Sequence, residues 1–260
     1  MPVLRRRLGS PACRSSRPPS TASRDHPAVP RTPDELAAEA RAAVDAGARV
    51  LHLHPYDADG HETLEAEPCA AALRAVRAVC PGTPVSLSTS ADIESDPERR
   101  RALVAGWTEL PELVTANQGE DGILDLCALL VERGVGIEAG LLSVGDARAF
   151  VASGIAGRCV RALVEPLGED PDAALAEAEA IEDVLESAGI PLEQVHHGDG
   201  LASWAVNRRG AARGHGIRTG LEDTPVLPGG SLASGNGELV AAAAPDPRGA
   251  GAELARQRRR

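Results

Sequence analysis

The sequence predicts an α/β fold, a (β/α)8 barrel with an irregular or missing first strand and a weak final helix. Helical segments that end at glycine alternate with short apolar strands at intervals of roughly 25–30 residues, the pattern of a parallel sheet. Hydrophobic residues make up 43% of the 260 residues but aromatic residues only 2%. The core must therefore consist of Ala, Val, Leu and Ile, which suits buried parallel strands.

Three regions differ in composition. Residues 1–24 are rich in Arg, Ser and Pro and contain no sustained apolar run, so we expect them to be disordered or poorly packed. Residues 25–244 carry the barrel pattern, and residues 245–260 form a polar, Arg-rich tail. A doubly wound open sheet is the alternative fold, but no glycine-rich phosphate turn follows an early strand.

The element signals can be taken in order. Thr32 is a predicted N-cap with Pro33 at the first helical position and Glu35 completing a capping box, and Gly47 ends this helix after Ala46. The strand that follows ends in His52 and His54. Six further strands are predicted at Pro84–Ser88, Leu113–Ala116, Gly136–Glu138, Cys159–Val164, Gln194–His197 and Gly216–Thr219. The intervening helices are predicted at Pro68–Cys80, Pro97–Trp107, Ile123–Arg133, Val144–Ala152, Asp170–Ala188 and Leu201–Arg213, with a short last helix at Glu238–Ala244.

The pair His52 and His54 is the first candidate site. Side chains two residues apart in a strand point to the same face, so both imidazoles converge where Pro55 stops the strand. Two imidazoles at a strand end are typical of a zinc site, although the same pattern also occurs as two satisfied polar residues. A third ligand is needed, and Glu222, in the loop after the last predicted strand, lies within reach across the barrel closure.

Asp223 and Arg218 form a second candidate group beside Glu222. A carboxylate held by a guanidinium can act as a base, but the same pair can also cap a loop. Other polar side chains at predicted strand ends are Ser86, Ser88, Thr89, Thr115, Asn117, Glu138, His196 and His197. His61 and His215 lie in predicted loops and are interpreted as solvated, whereas His197 suits either a packed core histidine or a contact to metal or substrate.

Composition excludes several functions. All 27 basic residues are arginine, and without a lysine the chain cannot use Schiff-base chemistry on a carbonyl substrate. The net charge of -11 argues against a nucleic-acid binder. Five cysteines without a C-x-x-C pair suit a reducing compartment, and no membrane span or secretory signal is found, so we expect a cytoplasmic protein.

Residues 25–244 resemble the β-keto acid cleavage enzymes. The motifs that carry the resemblance are Leu51-His-Leu-His54 with Asp57 and Gly60, Ser88-Thr89, Ile137-Glu-Ala-Gly140 and Gly220-Leu-Glu-Asp-Thr224. The resemblance implies a zinc-dependent TIM barrel, usually a homo-oligomer such as a tetramer. It also implies transfer between a β-keto acid and acetyl-CoA, which gives acetoacetate and a new acyl-CoA.

The resemblance also implies roles for single residues. His52, His54 and Glu222 would hold Zn2+, and Asp223 with Arg218 would remove a proton from the keto acid. The residues implied to line the substrate pocket are Ser88, Thr115, Asn117 and Glu138.

The chain departs from this family at its start and in one motif. Residues 1–24 stand where the family has an apolar first strand; they either replace that strand or reflect an altered reading frame. Ser90 replaces the glycine of a Ser-Thr-Gly motif. Two other functions stay open: a metal-dependent amidohydrolase, which commonly requires a lysine that this chain lacks, and an inactive barrel that survives as a binding protein.

Overall fold

A computed structural model of the protein describes residues 26–244, in which seven strands alternate with eight α-helices. The strands are β1 (Leu51–Leu53), β2 (Val85–Ser88), β3 (Leu113–Asn117), β4 (Gly136–Leu141), β5 (Cys159–Val164), β6 (Glu193–His196) and β7 (Gly216–Ile217). The helices are α1 (Pro33–Asp45), α2 (Ala66–Val79), α3 (Pro97–Ala105), α4 (Ile123–Glu132), α5 (Val144–Ser153), α6 (Pro171–Ser187), α7 (Ser203–Ala212) and α8 (Asn236–Ala243). The predicted segment 1–24 and tail 245–260 lie outside the described residues.

Helix α1 begins as the sequence predicts. The Thr32 hydroxyl accepts a hydrogen bond from the backbone N–H of Glu35, and the Glu35 carboxylate accepts one from the N–H of Thr32. This capping box satisfies backbone donors that the first helical turn would otherwise leave unpaired. The helix ends at Asp45, and Gly47, just past the C-cap Ala46, has a φ of 110°, a left-handed conformation that favours glycine.

All seven strands run parallel, and each pairs with the next along the chain. The register places Ser88 beside Thr115 and Thr115 beside Glu138, so the carboxyl ends of the strands gather at one edge. This confirms the seven predicted strands and the alternating order. Among residues 26–244 no ladder joins β1 to β7, so the sheet is an unclosed, barrel-like α/β fold rather than a complete eight-stranded ring.

Helices α1 and α8 meet across the gap that the sheet leaves. The Glu39 side chain on α1 accepts hydrogen bonds from the backbone N–H and the side-chain amide of Asn236 at the start of α8, at 2.7 and 2.9 Å. Behind this contact a cavity of about 770 Å³ extends from α1 through the gap to His52 and His54. We call it the central cavity, and its wall includes Leu36, Ala40, Val195, Ile217 and Val240.

The core has the predicted aliphatic composition. Fully buried Leu, Ile, Val and Ala side chains of the strands and helices form this core, and Phe150 is the one phenylalanine among them. The indole N–H of Trp107 donates a 2.8 Å hydrogen bond to the carbonyl of Leu64, which satisfies its polar atom inside the core. Within residues 26–244, every helix is too short or too polar to span a lipid bilayer.

Strand β4 and helix α8 both extend beyond their predicted bounds. Strand β4 continues from Glu138 to Leu141 because Ala139, Gly140 and Leu141 pair with β5. The last helix begins at Asn236 rather than Glu238, because Glu39 of α1 binds the first backbone N–H of α8. The contact that extends each element comes from a distant part of the chain.

Candidate metal centre and active site

His52 and His54 converge as their spacing predicts. His52 lies on β1 and His54 directly follows it; within residues 26–244 this strand pairs with β2 alone, and both imidazoles face the central cavity. Their Nε2 atoms lie 3.1 Å apart, with 11% and 18% of the side chains exposed. Two ring nitrogens this close leave room for one shared ligand between them.

Glu222 reaches the histidine pair from the other side of the gap. The turn after β7 is held by hydrogen bonds from the N–H groups of Asp223 and Thr224 to the carbonyl of Gly220, and by one from Leu221 to Asn236. Glu222 Oε1 lies 3.1 Å from His54 Nε2, and Oε2 lies 3.9 Å from His52 Nε2. The three side chains can therefore share one metal ion.

Further contacts orient both imidazoles. Glu62 Oε2 lies 2.9 Å from His54 Nδ1, and an antiparallel bridge between Tyr56 and Glu62 places that carboxylate. His52 Nδ1 lies 3.4 Å from the hydroxyls of both Ser86 and Thr115. Partners on Nδ1 leave Nε2 of each ring free for a metal, the usual arrangement of metal-binding histidines.

The electrostatic surroundings of the pair favour a cation. Burial and the Arg218 charge lower the pKa of His52 well below its usual value. Burial would also lower the pKa of His54, but the Glu222 and Glu62 carboxylates outweigh it and raise this pKa to about 10. Burial would raise the pKa of Glu222, but Arg218 and His54 hold it well below its usual range. Two imidazoles with adjacent carboxylates form a donor set that fits a divalent ion such as Zn2+.

The Glu62 contact makes the first testable prediction. Glu62→Gln keeps an acceptor oxygen near His54 Nδ1 but removes its charge, so we expect metal affinity to fall roughly 10–100-fold. Zn2+ titration against a competing chelator measures the change. Glu67→Gln, on a side chain that is 78% exposed, is the matched control. Unchanged zinc affinity in Glu62→Gln would show that this carboxylate does not contribute to the metal site.

The sequence suggested that Arg218 holds the carboxylate of Asp223, but no hydrogen bond joins these two side chains. The Arg218 guanidinium bonds to Glu222 instead, because the two side chains are four residues apart and meet across the turn. Asp223 is 3% exposed, and its Oδ1 lies 3.2 Å from His197 Nδ1. Its Oδ2 is buried without a hydrogen-bond partner among the described residues. Asp223 therefore keeps one buried carboxylate oxygen without a partner, and the residue lines the central cavity.

His197 bridges two buried carboxylates. Its Nδ1 faces Asp223 and its Nε2 lies 3.2 Å from Glu165 Oε2, while the ring is fully buried. Burial would lower the pKa of His197, but Glu165 outweighs it and, with Asp223, raises this pKa to about 9. At neutral pH an imidazolium thus orients Asp223. This finding agrees with a packed histidine and adds a role in positioning the predicted base.

The raised pKa of His197 predicts pH-dependent stability. The group gains its proton near pH 6.5 when unfolded and near pH 9 when folded. Its stabilisation is therefore complete below pH 6.5 and is lost as pH rises through 9, a change on the order of 3 kcal/mol. Urea unfolding should therefore give a lower free energy of unfolding at pH 9 than at pH 6.5. His197→Gln should not show this difference. His61→Gln, at a side chain 78% exposed, should retain the loss.

The residues predicted to line the substrate pocket lie at two depths. Ser88, Thr115 and Asn117, together with His52 and His54, surround a second, small polar cavity of about 60 Å³, which we call the mouth cavity. Glu138 lies deeper, inside β4 rather than at its end, and is 2% exposed. It accepts hydrogen bonds from Ser86 and from Arg161 Nε, the latter at 2.7 Å. Through Ser86, Glu138 contacts His52.

Three residues of the site escaped the sequence analysis: Glu62, Arg161 and Glu165. Glu165 directly follows β5, so the rule that catalytic groups follow parallel strands could have found it. Glu62 and Arg161 carry no such signal, because a loop bridge and a cross-strand register place them. His215 was interpreted as solvated, which is wrong. It lies 3.3 Å from Glu182 and is 22% exposed, because the turn before β7 packs against α6.

Comparison with known proteins identifies relatives of this chain. The model of the beta-keto acid cleavage enzyme family matches residues 19–147 and 171–259. The 3-keto-5-aminohexanoate cleavage enzyme of Fusobacterium nucleatum subsp. nucleatum is 29% identical over 233 residues, which cover 83% of this chain and 82% of that enzyme. The enzyme of the same name from Acetoanaerobium sticklandii is 35% identical over 100 residues, 38% of this chain and 37% of that enzyme.

Solved structures of ObcA share the fold. Its binary complex with oxaloacetate superposes with a TM-score of 0.69 at 17% identity and covers 89% of this chain, which spans only 65% of the ObcA chain. The ternary complex with a C4-CoA adduct and oxalate has a TM-score of 0.67 at 18% identity over 89% of this chain and 65% of ObcA. These identities support the barrel-like α/β fold alone. The family match, over most of the sequence, shows that this chain belongs to the β-keto acid cleavage enzymes.

Proposed function

We propose that the protein is a zinc-dependent acyltransferase that cleaves a β-keto acid with acetyl-CoA and releases acetoacetate and a new acyl-CoA. The observation that carries the proposal is one cavity that joins a three-donor metal site to a buried carboxylate with an unengaged oxygen, Asp223 Oδ2. Because the chain has no lysine to form a Schiff base, a different group must activate the carbonyl of the substrate. This site contains the side chains to bind a metal ion that can do so.

The proposed metal ligands are His52, His54 and Glu222. Three protein ligands with a fourth position left for substrate are typical of catalytic zinc. When bound, the ion polarises a carbonyl oxygen as a Lewis acid and lowers the cost of an adjacent carbanion. Arg218, held against Glu222, adds a guanidinium that can pair with the carboxylate of the keto acid.

Asp223 is the proposed general base. His197 holds Oδ1, so the free Oδ2 is the atom that would accept a proton from the carbon between the ketone and the carboxylate. The resulting carbanion attacks the acetyl carbonyl of acetyl-CoA and releases CoA thiolate. The thiolate attacks the original ketone, and the carbon–carbon bond breaks to give the new acyl-CoA. The departing acetoacetate carbanion takes back the proton.

The remaining groups would orient the substrate. Ser88, Thr115 and Asn117 offer hydroxyl and amide groups around the mouth cavity, while Glu138 supports Ser86 and His52 from below. Support for a keto acid and a CoA-type partner comes from the names of the relatives: ObcA has been solved with oxaloacetate and with a C4-CoA adduct. By family resemblance we also propose a homo-oligomer, a tetramer, which light scattering can test.

The test combines metal analysis with a substrate panel. The purified protein is assayed for bound zinc and then incubated with β-keto acids of varied side chain, with and without acetyl-CoA. We expect acetoacetate and a new acyl-CoA only when acetyl-CoA is present, and no product after chelation. Hydrolysis of lactones or amides without acetyl-CoA would support an amidohydrolase instead. Zinc-free protein that turns over every substrate at full rate would contradict the proposal.

A further inference from the structure

A second cluster of metal-binding side chains lies outside the site described above. Glu182 is on α6, His196 ends β6, and His215 immediately precedes β7. Glu182 and His196 are buried at 1% and 0% exposure. His215 lines the central cavity, so an ion from solvent can reach the cluster. Neither the proposed reaction nor its metal uses these residues.

The distances within this cluster match those of a metal site. Glu182 Oε1 lies 3.2 Å from His196 Nε2 and 3.3 Å from His215 Nε2, and Gln194 Oε1 lies 3.3 Å from His196 Nε2. Zinc–ligand bonds of about 2.0–2.1 Å put tetrahedral donors roughly 3.3 Å apart. The ring centroids of His196 and His215 are 4.9 Å apart with the rings stacked, whereas those of His52 and His54 are 5.0 Å apart in a T-shaped arrangement.

One oxygen in the cluster lacks a satisfactory partner. Glu182 Oε1 is buried without a hydrogen bond of good geometry, although both Nε2 atoms are close. The other oxygen, Oε2, contacts Arg209 at 2.6 Å and Arg213 at 2.9 Å. The guanidiniums therefore orient the carboxylate and leave Oε1 directed at the histidines. A buried acceptor of this kind destabilises the fold unless a ligand satisfies it.

Charge near the cluster allows a dication despite these arginines. Arg213 also pairs with Glu186 at 3.3 Å, and the charges of Glu179 and Asp183 act on Arg209. These carboxylates, together with Glu182, offset the charge of the two guanidiniums, which would otherwise oppose a divalent cation.

We propose that Glu182, His196 and His215, with the amide oxygen of Gln194, form a second, structural site for a divalent cation such as Zn2+. The ion would join α6 and β6 to β7, a two-residue strand at the open edge of the sheet. Because Arg218 and Glu222 follow β7, the second ion would also steady the loop that completes the first site.

The second site should be weaker than the first. A metal-bound imidazole carries its proton on Nδ1 and normally donates it, but His196 Nδ1 is buried without a partner among the described residues. An incomplete outer shell typically lowers affinity roughly 10–100-fold. Stepwise chelation should therefore remove the second equivalent of zinc first.

Elemental analysis of the full chain, stripped of metal and dialysed against Zn2+, tests this proposal. We expect two equivalents in the unsubstituted protein, one in His54→Ala, one in His215→Ala and none in the double variant. His61→Ala removes an exposed histidine and should keep both equivalents. Because His215 is partly exposed, its removal should disturb packing least, and circular dichroism verifies the fold.

Two results would overturn the second site. The first is that the unsubstituted protein binds one equivalent of zinc and that His54→Ala abolishes this binding. The Glu182 cluster would then be only an ion-pair network. The other is a second equivalent that survives His215→Ala. If His215→Ala fails to fold, the His54→Ala variant decides alone: added Zn2+ should raise its Tm, and an unchanged Tm rejects the site.

Discussion

Asp223→Asn should lose catalysis while it keeps its metal. The amide has the same shape as the carboxylate and can still contact His197, but its oxygen is too weak a base to remove a proton from carbon. General-base catalysis typically contributes 10²–10⁴-fold, so we expect kcat to fall by roughly that factor. Product formation from a β-keto acid and acetyl-CoA measures kcat, and elemental analysis of the same sample gives the zinc content.

A proton-exchange assay isolates the step assigned to Asp223. In D2O without acetyl-CoA, the unsubstituted protein should accelerate exchange of the α-protons of the keto acid, and Asp223→Asn should not. Asp125→Asn, at an exposed position on α4, is the matched control and should behave as the unsubstituted protein. Full turnover by Asp223→Asn would mean that another group, with Glu165 the nearest candidate in the network, accepts the proton.

Glu222→Gln should have the opposite signature, because it removes a ligand rather than the base. The neutral amide no longer attracts the ion, and Arg218 loses its carboxylate partner. Since loss of an outer-shell group alone costs 10–100-fold in metal affinity, loss of this ligand should cost at least about 100-fold. Zinc content relative to the unsubstituted chain should fall by one equivalent, and turnover should fall with it.

Metal supplementation separates the two variants. Excess Zn2+ should restore part of the activity of Glu222→Gln by mass action, but none of the activity of Asp223→Asn. Glu98→Gln, at an exposed position on α3, controls for loss of a surface carboxylate. If Glu222→Gln binds zinc as tightly as the unsubstituted chain, the third ligand has been assigned wrongly.

Local signals in the sequence were sufficient where one short segment decides the outcome. The capping box at Thr32 and the converging pair His52 and His54 depend only on residues two or three positions apart. Alternation of apolar strands and glycine-ended helices predicts the parallel order, since such a sheet admits few other arrangements. The end of β4 was missed, because pairing with β5 rather than local composition extends it to Leu141.

The sequence could not predict which carboxylate pairs with Arg218. Arg218 has two adjacent carboxylates within reach, Glu222 and Asp223, and composition cannot choose between them. The turn at Gly220 makes that choice by directing Glu222 to Arg218 and the histidine pair, and Asp223 to His197. The order of side chains along a loop does not reveal which way each one points.

The sequence by itself determined the strand order, the aliphatic core, the absence of lysine chemistry and the residue types of the candidate metal site. Only the tertiary structure decided that Glu62 orients His54, that an imidazolium holds Asp223, and that His215 faces Glu182. The reason is physical: backbone periodicity operates over a few residues, whereas these contacts join elements far apart in the chain. Their distances depend on how helices and strands pack, which no local pattern encodes.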